Sequence, residues 1–281
     1  MNKNPKISVI TSVYNGEEYL EQTILSVLDQ SYNNIEYIVV DGNSTDRSPE
    51  IIKKYGERLK FWVSEPDTGI YNAWNKALKH VSGEWIVFIG ADDYWKNPDV
   101  ITTMIPYLKD AENKKIKYVY GKIEHITLQG KLVEVSGKPW VEQKSRFTYI
   151  MNIGHSGSFH HASLFEMHGQ FNDSFKITGD YEFLLREFKN PDNDALFVNE
   201  TTLSMREGGV SASLDNRYKV VKESKKARKL NGITSFSKEL AIWEIRILFI
   251  TVLSSIFGQS FAAKTADLYR KILGKEKRWS N

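Results

Sequence analysis

The stretch "GEWIVFIGADDYW", residues 83–95, places two adjacent carboxylates directly after an apolar run. A short apolar run bounded by glycine is typical of a buried strand in a parallel sheet. Uncompensated charge is costly near a core, so Asp92 and Asp93 need hydrogen bonds, a cation or open solvent. They either cap a following helix or belong to a binding site, and the surrounding sequence has to decide between the two.

The residues before this stretch alternate between strand and helix patterns. The strand patterns are ISVITS (7–12), IEYIVVDG (35–42), KFWVSE (60–65) and WIVFIG (85–90). Helical spacing of apolar residues falls at 17–30, in a segment that begins near "STDRSPEII", and at 68–81. The alternation predicts an α/β fold with a mostly parallel, doubly wound sheet. Further along, the sequence predicts a small antiparallel hairpin at 116–136, a helix at 179–188, and basic and then apolar helices from about residue 214.

Three of the four predicted parallel strands end in acidic residues. Asp41 follows the second strand, Asp67 the third, and Asp92 and Asp93 the fourth. Ligands of open parallel sheets bind beyond the carboxyl ends of the strands. Acidic groups that meet at one sheet edge repel each other unless a cation or donor groups are bound there. This convergence favours a binding site over a set of helix caps.

The kind of ligand follows from what the strand ends contain. The sequence has neither a GxxxxGK[ST] phosphate loop nor a GxGxxG loop, which disfavours P-loop enzymes and typical dinucleotide-binding folds. Oxygen ligands favour Mg²⁺ or Mn²⁺, and these ions commonly bridge a protein to a diphosphate. The strand ends therefore predict metal-assisted handling of a nucleotide diphosphate.

Composition and charge indicate the cellular compartment of the protein and the kind of surface that it contacts. The chain has no cysteine, which excludes disulfides and suits a reducing cytoplasm, and residues 1–10 lack the apolar stretch of a signal peptide. Residues 219–281 carry 14 Lys and Arg against 5 Asp and Glu, a net charge of +9 within a chain of net charge +3. A basic tail on an acidic body indicates contact with an anionic surface, either membrane or nucleic acid.

Several ordered motifs together resemble the family 2 glycosyltransferases of GT-A fold, of the bacterial surface-polysaccharide type. These motifs are "SVITSVYNGEEYLEQTILSVLDQSY", "IEYIVVDGNSTDRSPEII", "SEPDTGIYNAWNKAL", "GEWIVFIGADD" and "SLFEMHGQFNDSFKITGDYEFLLREF". The resemblance covers roughly residues 5–212. It implies one GT-A domain at 1–212, with a nucleotide-binding half at about 1–110 and an acceptor half at 111–212, followed by a helical extension at 213–281.

The resemblance implies a uridine site at the ends of the first two strands. Thr11, Tyr14 and Asn15 correspond to the loop around the uracil and ribose, where stacking and short polar contacts suit a base. Asp41 corresponds to the acid that reads the uracil ring or the ribose. The alternative for Thr11, Tyr14 and Asn15 is an ordinary turn, and the alternative for Asp41 is a helix start.

The resemblance also implies groups that line and close the nucleotide-sugar cleft. Asp67 corresponds to an acid in the cleft wall, Lys76 is a candidate to neutralise it, and Arg206 begins a Gly-rich segment that would close over the donor. The alternatives are a helix cap for Asp67, a solvated side chain for Lys76 and a plain surface loop at Arg206.

Asp92 and Asp93 occupy the family's acidic metal motif with one departure. Gly90 stands where many relatives carry the leading acid. The resemblance then implies that Asp92 is a ligand of Mn²⁺ or Mg²⁺ and that Asp93 is a second ligand or a supporting group.

Asp180, in "TGDYEFLLREF", corresponds to the family's general base. Inverting transfer needs one carboxylate within hydrogen-bond reach of the acceptor hydroxyl, and a metal can stabilise the departing UDP. His155 corresponds to a histidine that contacts the acceptor or a phosphate. A helix cap at Asp180 and a structural role for His155 are the alternatives.

The implied reaction is inverting transfer of a hexose from a UDP-sugar to a glycan acceptor, with a lipid-linked oligosaccharide expected and no nucleic-acid partner. Processive relatives carry a Q-x-x-R-W motif; here Arg278–Trp279 follows Lys275 instead of Gln, so one sugar is expected per encounter. A nucleotidyltransferase and a non-catalytic nucleotide- or glycan-binding module remain as rivals. The first would need a basic loop near the first strand, where "TSVYNGEEY" is acidic.

The segment "LAIWEIRILFITVLSSIF" (240–257) lies between two basic stretches. Glu244 and Arg246 interrupt it, whereas a transmembrane span needs about 20 largely uncharged residues. Peripheral docking on an anionic membrane, packing on the catalytic domain and a homodimer contact are open alternatives, with a true span the least favoured. The enzyme is accordingly expected in the cytoplasm, at the inner face of the cell membrane if the segment docks there.

Overall fold

The computed structural model describes residues 4–209 and 214–272. Nine strands within these residues form one sheet. The first five are β1 (Ile7–Val13), β2 (Ile35–Asp41), β3 (Phe61–Ser64), β4 (Trp85–Gly90) and β5 (Tyr94–Trp95). The other four are β6 (Tyr118–Ile126), β7 (Leu132–Ser136), β8 (Phe159–His161) and β9 (Leu196–Arg206).

The sheet order brings the strand ends to one edge. The order is β3-β2-β1-β4-β8-β6-β9-β5, with β7 paired to β6, and β1 to β4 run parallel to one another. In this register Val13 lies opposite Asp41, and Ser12 lies opposite Gly90. The residues that follow β1, β2 and β4 therefore emerge side by side, as the predicted parallel sheet requires.

Helices cover both faces of the sheet. The first seven are α1 (Leu20–Leu28), α2 (Ser48–Tyr55), α3 (Ile70–Leu78), α4 (Val100–Asn113), α5 (Trp140–Phe147), α6 (Ser163–His168) and α7 (Gly179–Phe188). One buried cluster joins α1, α2 and α4 to one face, and a second, rich in aromatic side chains, joins α3, α5, α6 and α7 to the other. The alternation of side chains along β1 explains the division, because Val9 packs in the first cluster and Ile10 in the second.

The predicted α/β fold is confirmed, including the four parallel strands, the hairpin of β6 and β7, and the helix at 179–188. The sequence did not indicate β5, β8 or β9. β8 has only three residues, and β9 contains the polar run Asn199–Thr202, which interrupts an apolar pattern. β9 runs parallel to β6 and antiparallel to β5, so Arg206 ends a strand within the sheet.

Three helices form the C-terminal part: α8 (Leu214–Leu230), α9 (Lys238–Phe257) and α10 (Gln259–Ile272). The predicted boundary after residue 212 and the Arg278–Trp279 pair lie outside the described residues. α8 packs on α7 and contributes Ala227 to the second core cluster. α9 is the one helix of the described part that is long and apolar enough to cross a membrane, judged by length and composition, with a mean hydropathy of 1.9 over Leu240–Phe257.

Candidate active site

A cleft with a cavity volume of about 1310 Å³ opens at the carboxyl ends of β1 and β4. It exceeds the roughly 300–1,000 Å³ of a typical small-ligand pocket, so it has room for more than one small ligand. Seven of the residues predicted to form the site line it, and both predicted halves contribute. These seven are Tyr14, Asn15, Asp67, Asp92, Asp93, His155 and Asp180.

The loop after β1 forms one end of the cleft. Tyr14 is 67% exposed, which leaves its ring free to stack on a flat ligand. Asn15 has a positive φ of 51°, and its Oδ1 accepts a hydrogen bond from the Thr45 backbone N–H at 2.9 Å. Asp67 accepts from the Gly69 N–H at 2.8 Å, just before α3 begins. Its carboxylate thus both lines the cleft and orders the start of that helix.

Thr11 and Asp41 lie beneath this loop instead of lining the cleft. Both are fully buried. The Thr11 hydroxyl accepts from the Tyr37 hydroxyl at 2.9 Å, and the Asp41 carboxylate accepts from the hydroxyls of Ser44 and Ser64. Their hydrogen-bonding groups are used within the protein, so the structure gives them a supporting position in place of the expected direct contact with the base.

Asp92 and Asp93 differ in how the protein holds them. The Asp93 carboxylate is buried, with one oxygen accepting from Ser156 Oγ at 2.8 Å and the other from the Arg206 backbone N–H at 3.2 Å. Burial and repulsion from Asp92 raise the pKa of Asp93 to about 7. Asp92 is only half-buried, and burial raises its pKa as well. Asp92 is therefore the more accessible acid of the pair.

Gly90 leaves room for these two acids. A Cβ at this position would lie 3.0 Å from Asp92 Oδ1 and 3.0 Å from Asp93 Oδ2. Real Cβ atoms rarely come so close to a neighbour, so an acid at position 90 would press on both carboxylates. Gly90, which stands in place of the leading acid of many relatives, therefore lies where Asp92 and Asp93 leave little space for a side chain.

Arg206 and Lys76 do not take the expected places at the cleft. Arg206 is 7% exposed and donates to the Asp92 carbonyl and to Gln22 Oε1, while its guanidinium stacks 4.1 Å from the Tyr19 ring. It braces the acidic loop through these contacts and is not among the residues that line the cleft. Lys76 pairs with Glu65 at 2.8 Å and donates to the Pro66 carbonyl, away from the lining of the cleft.

Asp180 occupies the first turn of α7, in the cleft wall of the acceptor half. Burial raises the pKa of its carboxyl to about 6, against which hydrogen bonds from the Tyr181 backbone and from Tyr71 act. The Tyr71 hydroxyl lies 3.2 Å from Asp180 Oδ1 and 2.7 Å from the Ile177 carbonyl. The helix has Thr178 as its N-cap residue, so Asp180 is not the cap. A carboxylate of this pKa is ionised near pH 7 and still basic enough to take a proton.

His155 stacks on Trp74, with ring centroids 5.1 Å apart, and on Phe88 at 5.5 Å. Burial lowers the pKa of His155 to about 3, so the ring is neutral at physiological pH. Its Nε2 and the Trp74 Nε1 are both buried without a hydrogen-bond partner within the protein. A neutral ring pair of this kind can receive the hydroxyl groups of a bound ligand, but cannot attract a phosphate by charge.

Sequence reasoning missed several residues of the cleft. Lys176 lines it and donates to the Thr68 carbonyl at 2.5 Å, and Tyr71, Trp74, His125 and Ser156 also line it. Lys176 lies four residues before Asp180, in "FKITGD", so its proximity to the expected base was a usable signal. Nothing in the local pattern distinguishes Ser156 or His125 from an ordinary loop or strand residue.

The sheet order and the cleft at the carboxyl ends of its strands define a GT-A fold. Staphylococcus aureus TarS in complex with UDP has a similar structure, with a TM-score of 0.61 and 20% identity, covering 96% of this chain and 78% of that one. A mannosyltransferase from Pyrobaculum calidifontis, in complex with GDP-Man and Mn²⁺, matches with a TM-score of 0.62 and 16% identity, covering 97% and 81% of the two chains.

The chain belongs to glycosyl transferase family 2, whose family model matches residues 8–165. An uncharacterized glycosyltransferase of Mycobacterium tuberculosis is 30% identical over 187 residues, which cover 66% of this chain and 70% of the relative. A PGL/p-HBAD biosynthesis glycosyltransferase of Mycobacterium tuberculosis is 26% identical over 217 residues, 75% of this chain and 80% of the relative. The protein is therefore a glycosyltransferase, and the predicted class of enzyme is confirmed.

Proposed function

We propose that this enzyme transfers one hexose per encounter, with inversion, from a UDP-sugar to a glycan acceptor. The observation that carries the proposal is Asp180, a cleft-lining carboxyl with a pKa raised to about 6, in one cleft with the acidic pair Asp92 and Asp93. Solved structures of TarS contain UDP and UDP-GlcNAc, which supports a UDP-sugar donor. The match to glycosyltransferases of PGL/p-HBAD biosynthesis supports a glycolipid or lipid-linked oligosaccharide acceptor, as in surface polysaccharide synthesis.

The proposed chemistry is a single displacement. Asp180 accepts the proton of an acceptor hydroxyl, whose oxygen forms a bond to the anomeric carbon as the bond from that carbon to the diphosphate breaks. The products are an inverted glycoside, UDP and a protonated Asp180 that returns its proton to solvent. His155 and Trp74 are proposed to hold acceptor or sugar hydroxyls, because each has a buried, unpartnered ring nitrogen at the cleft wall.

The proposed nucleotide site is the end of the cleft formed after β1. Tyr14 offers an exposed ring for stacking on the uracil, and Asn15 and Asp67 offer polar groups beside it. Thr11 and Asp41 shape this end from within the sheet. The Gly-rich segment after Arg206 stays a proposal as a lid, and residues 210–213 of it lie outside the described residues.

The residues present fit a divalent cation held together with the donor. Burial raises the pKa of Asp92, and burial together with repulsion from Asp92 raises that of Asp93, so a divalent cation would relieve the cost of keeping both carboxylates ionised. Within residues 4–209 and 214–272 no three His, Cys, Asp or Glu side chains form a ready metal cluster. This composition suits Mg²⁺ or Mn²⁺, which are often bound by one or two carboxylates plus substrate phosphates. Charge neutralisation of the leaving diphosphate is the chemistry that such an ion supplies when bound.

Calorimetric titration of UDP tests the role proposed for Asp92. We expect UDP to bind with Mn²⁺ or Mg²⁺ present and to bind at least tenfold more weakly in EDTA. Asp92→Asn should remove most of the metal-dependent gain, whereas Asp110→Asn, at an exposed acid paired with Lys114, should leave it intact. Equal UDP affinity in EDTA and in Mn²⁺ would contradict the metal bridge.

A donor-hydrolysis screen over nucleotide sugars tests the reaction itself. Release of UDP from one UDP-hexose, followed by transfer to a glycan acceptor with inverted anomeric configuration by NMR, is the expected result. Pyrophosphate release from a nucleoside triphosphate and a sugar phosphate would instead indicate a nucleotidyltransferase. Binding without turnover of any donor would indicate a non-catalytic module.

We also propose that the enzyme works in the cytoplasm and docks on the inner face of the cell membrane through α9. In Leu240–Phe257 only 12% of the residues are buried, so a largely apolar helix faces out of the protein. α8 and α10 on either side carry several lysines, among them Lys219, Lys222, Lys264 and Lys271. An exposed apolar helix with basic neighbours suits the surface of an anionic bilayer.

A further inference from the structure

The loop before α7 is fixed by a residue from the C-terminal helices. Glu223 of α8 reaches this loop, and its two carboxylate oxygens accept from three consecutive backbone N–H groups. The Lys176 N–H donates to Oε1 at 2.9 Å, and those of Ile177 and Thr178 donate to Oε2 at 2.9 Å each. Successive N–H groups that converge on one anion form a strong and directional contact.

Ile177 and Tyr71 link the Glu223 contact to Asp180. Ile177, which donates to Glu223, uses its carbonyl to accept from the Tyr71 hydroxyl, and that hydroxyl lies 3.2 Å from Asp180 Oδ1. The start of α7 also packs tightly on Tyr71, because a Cβ at Gly179 would come within 2.8 Å of the Tyr71 ring. Lys226, one turn after Glu223, donates to Ser174 Oγ at 2.8 Å and lies 4.3 Å from the Phe175 ring. Two neighbouring side chains of α8 therefore hold the segment 174–178.

We infer that Glu223 is a positioning residue for Asp180, so that α8, in sequence part of an appended extension, completes the active site. The inference rests on the proposed role of Asp180 as the base. Glu223 fixes the height and direction of the first turn of α7, and through Ile177 and Tyr71 it fixes the carboxylate that accepts the proton. Displacing a general base by about 1 Å can lower the rate roughly 10²-fold. A contact that holds Asp180 in place, called the Glu223 clamp below, therefore protects the rate of transfer.

The charge of Glu223 acts in addition to its hydrogen bonds. The groups that face Asp180 are Tyr71 from α3, Tyr118 from β6 and Glu223 from α8. Burial raises the pKa of both tyrosines, so near neutral pH the charged group among these three is Glu223. Its negative charge disfavours a second carboxylate nearby and helps to raise the pKa of Asp180. Lys176 directs its ammonium to the Thr68 carbonyl.

The test compares Glu223→Gln with Glu36→Gln. Glu36 is a buried carboxylate of β2 that also accepts a backbone N–H, that of Ser82, but lies outside the cleft, so its substitution controls for lost stability. In Glu223→Gln we expect the pKa of Asp180, measured by carboxyl NMR titration, to fall by roughly half a unit. Amide exchange at Ile177 and Thr178 should become faster, and kcat should fall roughly tenfold at unchanged donor KM. Glu36→Gln should lower stability without these changes.

The outcomes separate this inference from the proposed function. An unchanged pKa of Asp180 together with unchanged amide exchange in Glu223→Gln would overturn the positioning role. A shifted pKa and faster exchange with wild-type kcat would support the clamp and reject Asp180 as the base. Should Glu223→Gln fail to fold, Glu223→Asp keeps the charge on a shorter side chain. It should retain the raised pKa and still speed amide exchange, and protection equal to the wild type would overturn the clamp.

Discussion

The burial of Asp180 affects both its strength as a base and the pH dependence of the protein. Its half-buried place in the first turn of α7 raises its pKa to about 6, which makes it a stronger base than an exposed carboxylate. In Asp180→Asn the side chain keeps its shape and loses the basic oxygen. We expect kcat to fall about 10²-fold or more while UDP affinity, measured by calorimetry, stays within about twofold. Retention of more than about a tenth of wild-type transfer, with chemistry limiting, would exclude Asp180 as the base.

The raised pKa of Asp180 also sets the pH dependence. Transfer by the wild type should be lost as the pH falls through about 6, because the base becomes protonated. The ionised carboxylate is disfavoured in the folded protein, so it lowers stability above pH 6, and this cost vanishes below the unfolded pKa of about 3.9. Asp180→Asn should therefore have a higher Tm than the wild type at pH 8, with the difference shrinking toward pH 4. A lower Tm of the variant at pH 8 would contradict this account.

Gly90 permits a test of how closely the acidic pair is packed. Gly90→Asp restores an acid that many relatives carry and places it against Asp92 and Asp93. We expect a lower Tm in EDTA and a larger rise in Tm on adding Mn²⁺ than in the wild type, because a third carboxylate adds repulsion that a cation relieves. Gly90→Ala adds only the Cβ and serves as the control. An equal response to Mn²⁺ in the two variants would show that the effect is steric.

At the scale of secondary-structure elements, β9 is a strand that local sequence patterns do not predict. The parallel strands β1 to β4 and helix α7 could be predicted, since each is a continuous apolar or periodic segment. β9 could not, because its polar residues interrupt the apolar pattern and the strands it pairs with, β5 and β6, lie far away in sequence. For the same reason Arg206 was expected in a lid. Its partners Asp92, Gln22 and Tyr19 lie far from it in sequence and meet it only in the folded protein.

The bracing by Arg206 predicts a clear difference between arginine and lysine at this position. Arg206→Lys keeps the charge but replaces the two separate guanidinium nitrogens that donate to the Asp92 carbonyl and to Gln22 by a single ammonium, which also stacks less well on Tyr19. We expect a loss of about 2 kcal/mol in the free energy of unfolding and weaker Mn²⁺-dependent UDP binding. The control is Arg58→Lys, at a half-exposed arginine that donates to the Leu28 carbonyl and to Asp29. Equal effects of the two substitutions would show that Arg206 does not hold the acidic loop.

At the scale of the whole molecule, the division into a catalytic domain and an extension does not match the contacts. Composition changes sharply after about residue 212, because the C-terminal residues are basic. Yet Glu223 and Lys226 bind the loop before α7, and Asn231 donates to the Ala227 carbonyl and lies 3.4 Å from the Glu182 carbonyl. The many basic residues of α8 indicate that much of its surface is exposed. The few side chains that pack α8 on the acceptor half do not form a periodic sequence pattern, so the sequence does not predict this contact.

Substitutions on the exposed face of α9 can distinguish membrane docking from a homodimer contact. Ile245, Phe249 and Ile256 are 67%, 60% and 65% exposed. We expect the wild type to float with vesicles that contain phosphatidylglycerol, less so at high salt, and not with phosphatidylcholine vesicles, because the basic neighbours add electrostatic attraction. The double substitution Phe249→Glu with Ile256→Glu should abolish flotation while activity on a soluble acceptor survives. Val141→Glu, at an apolar residue 83% exposed on α5, is the matched control and should float normally. If the double variant instead turns a dimer into a monomer by light scattering, and the wild type ignores vesicles, the face is a subunit interface and the docking proposal fails.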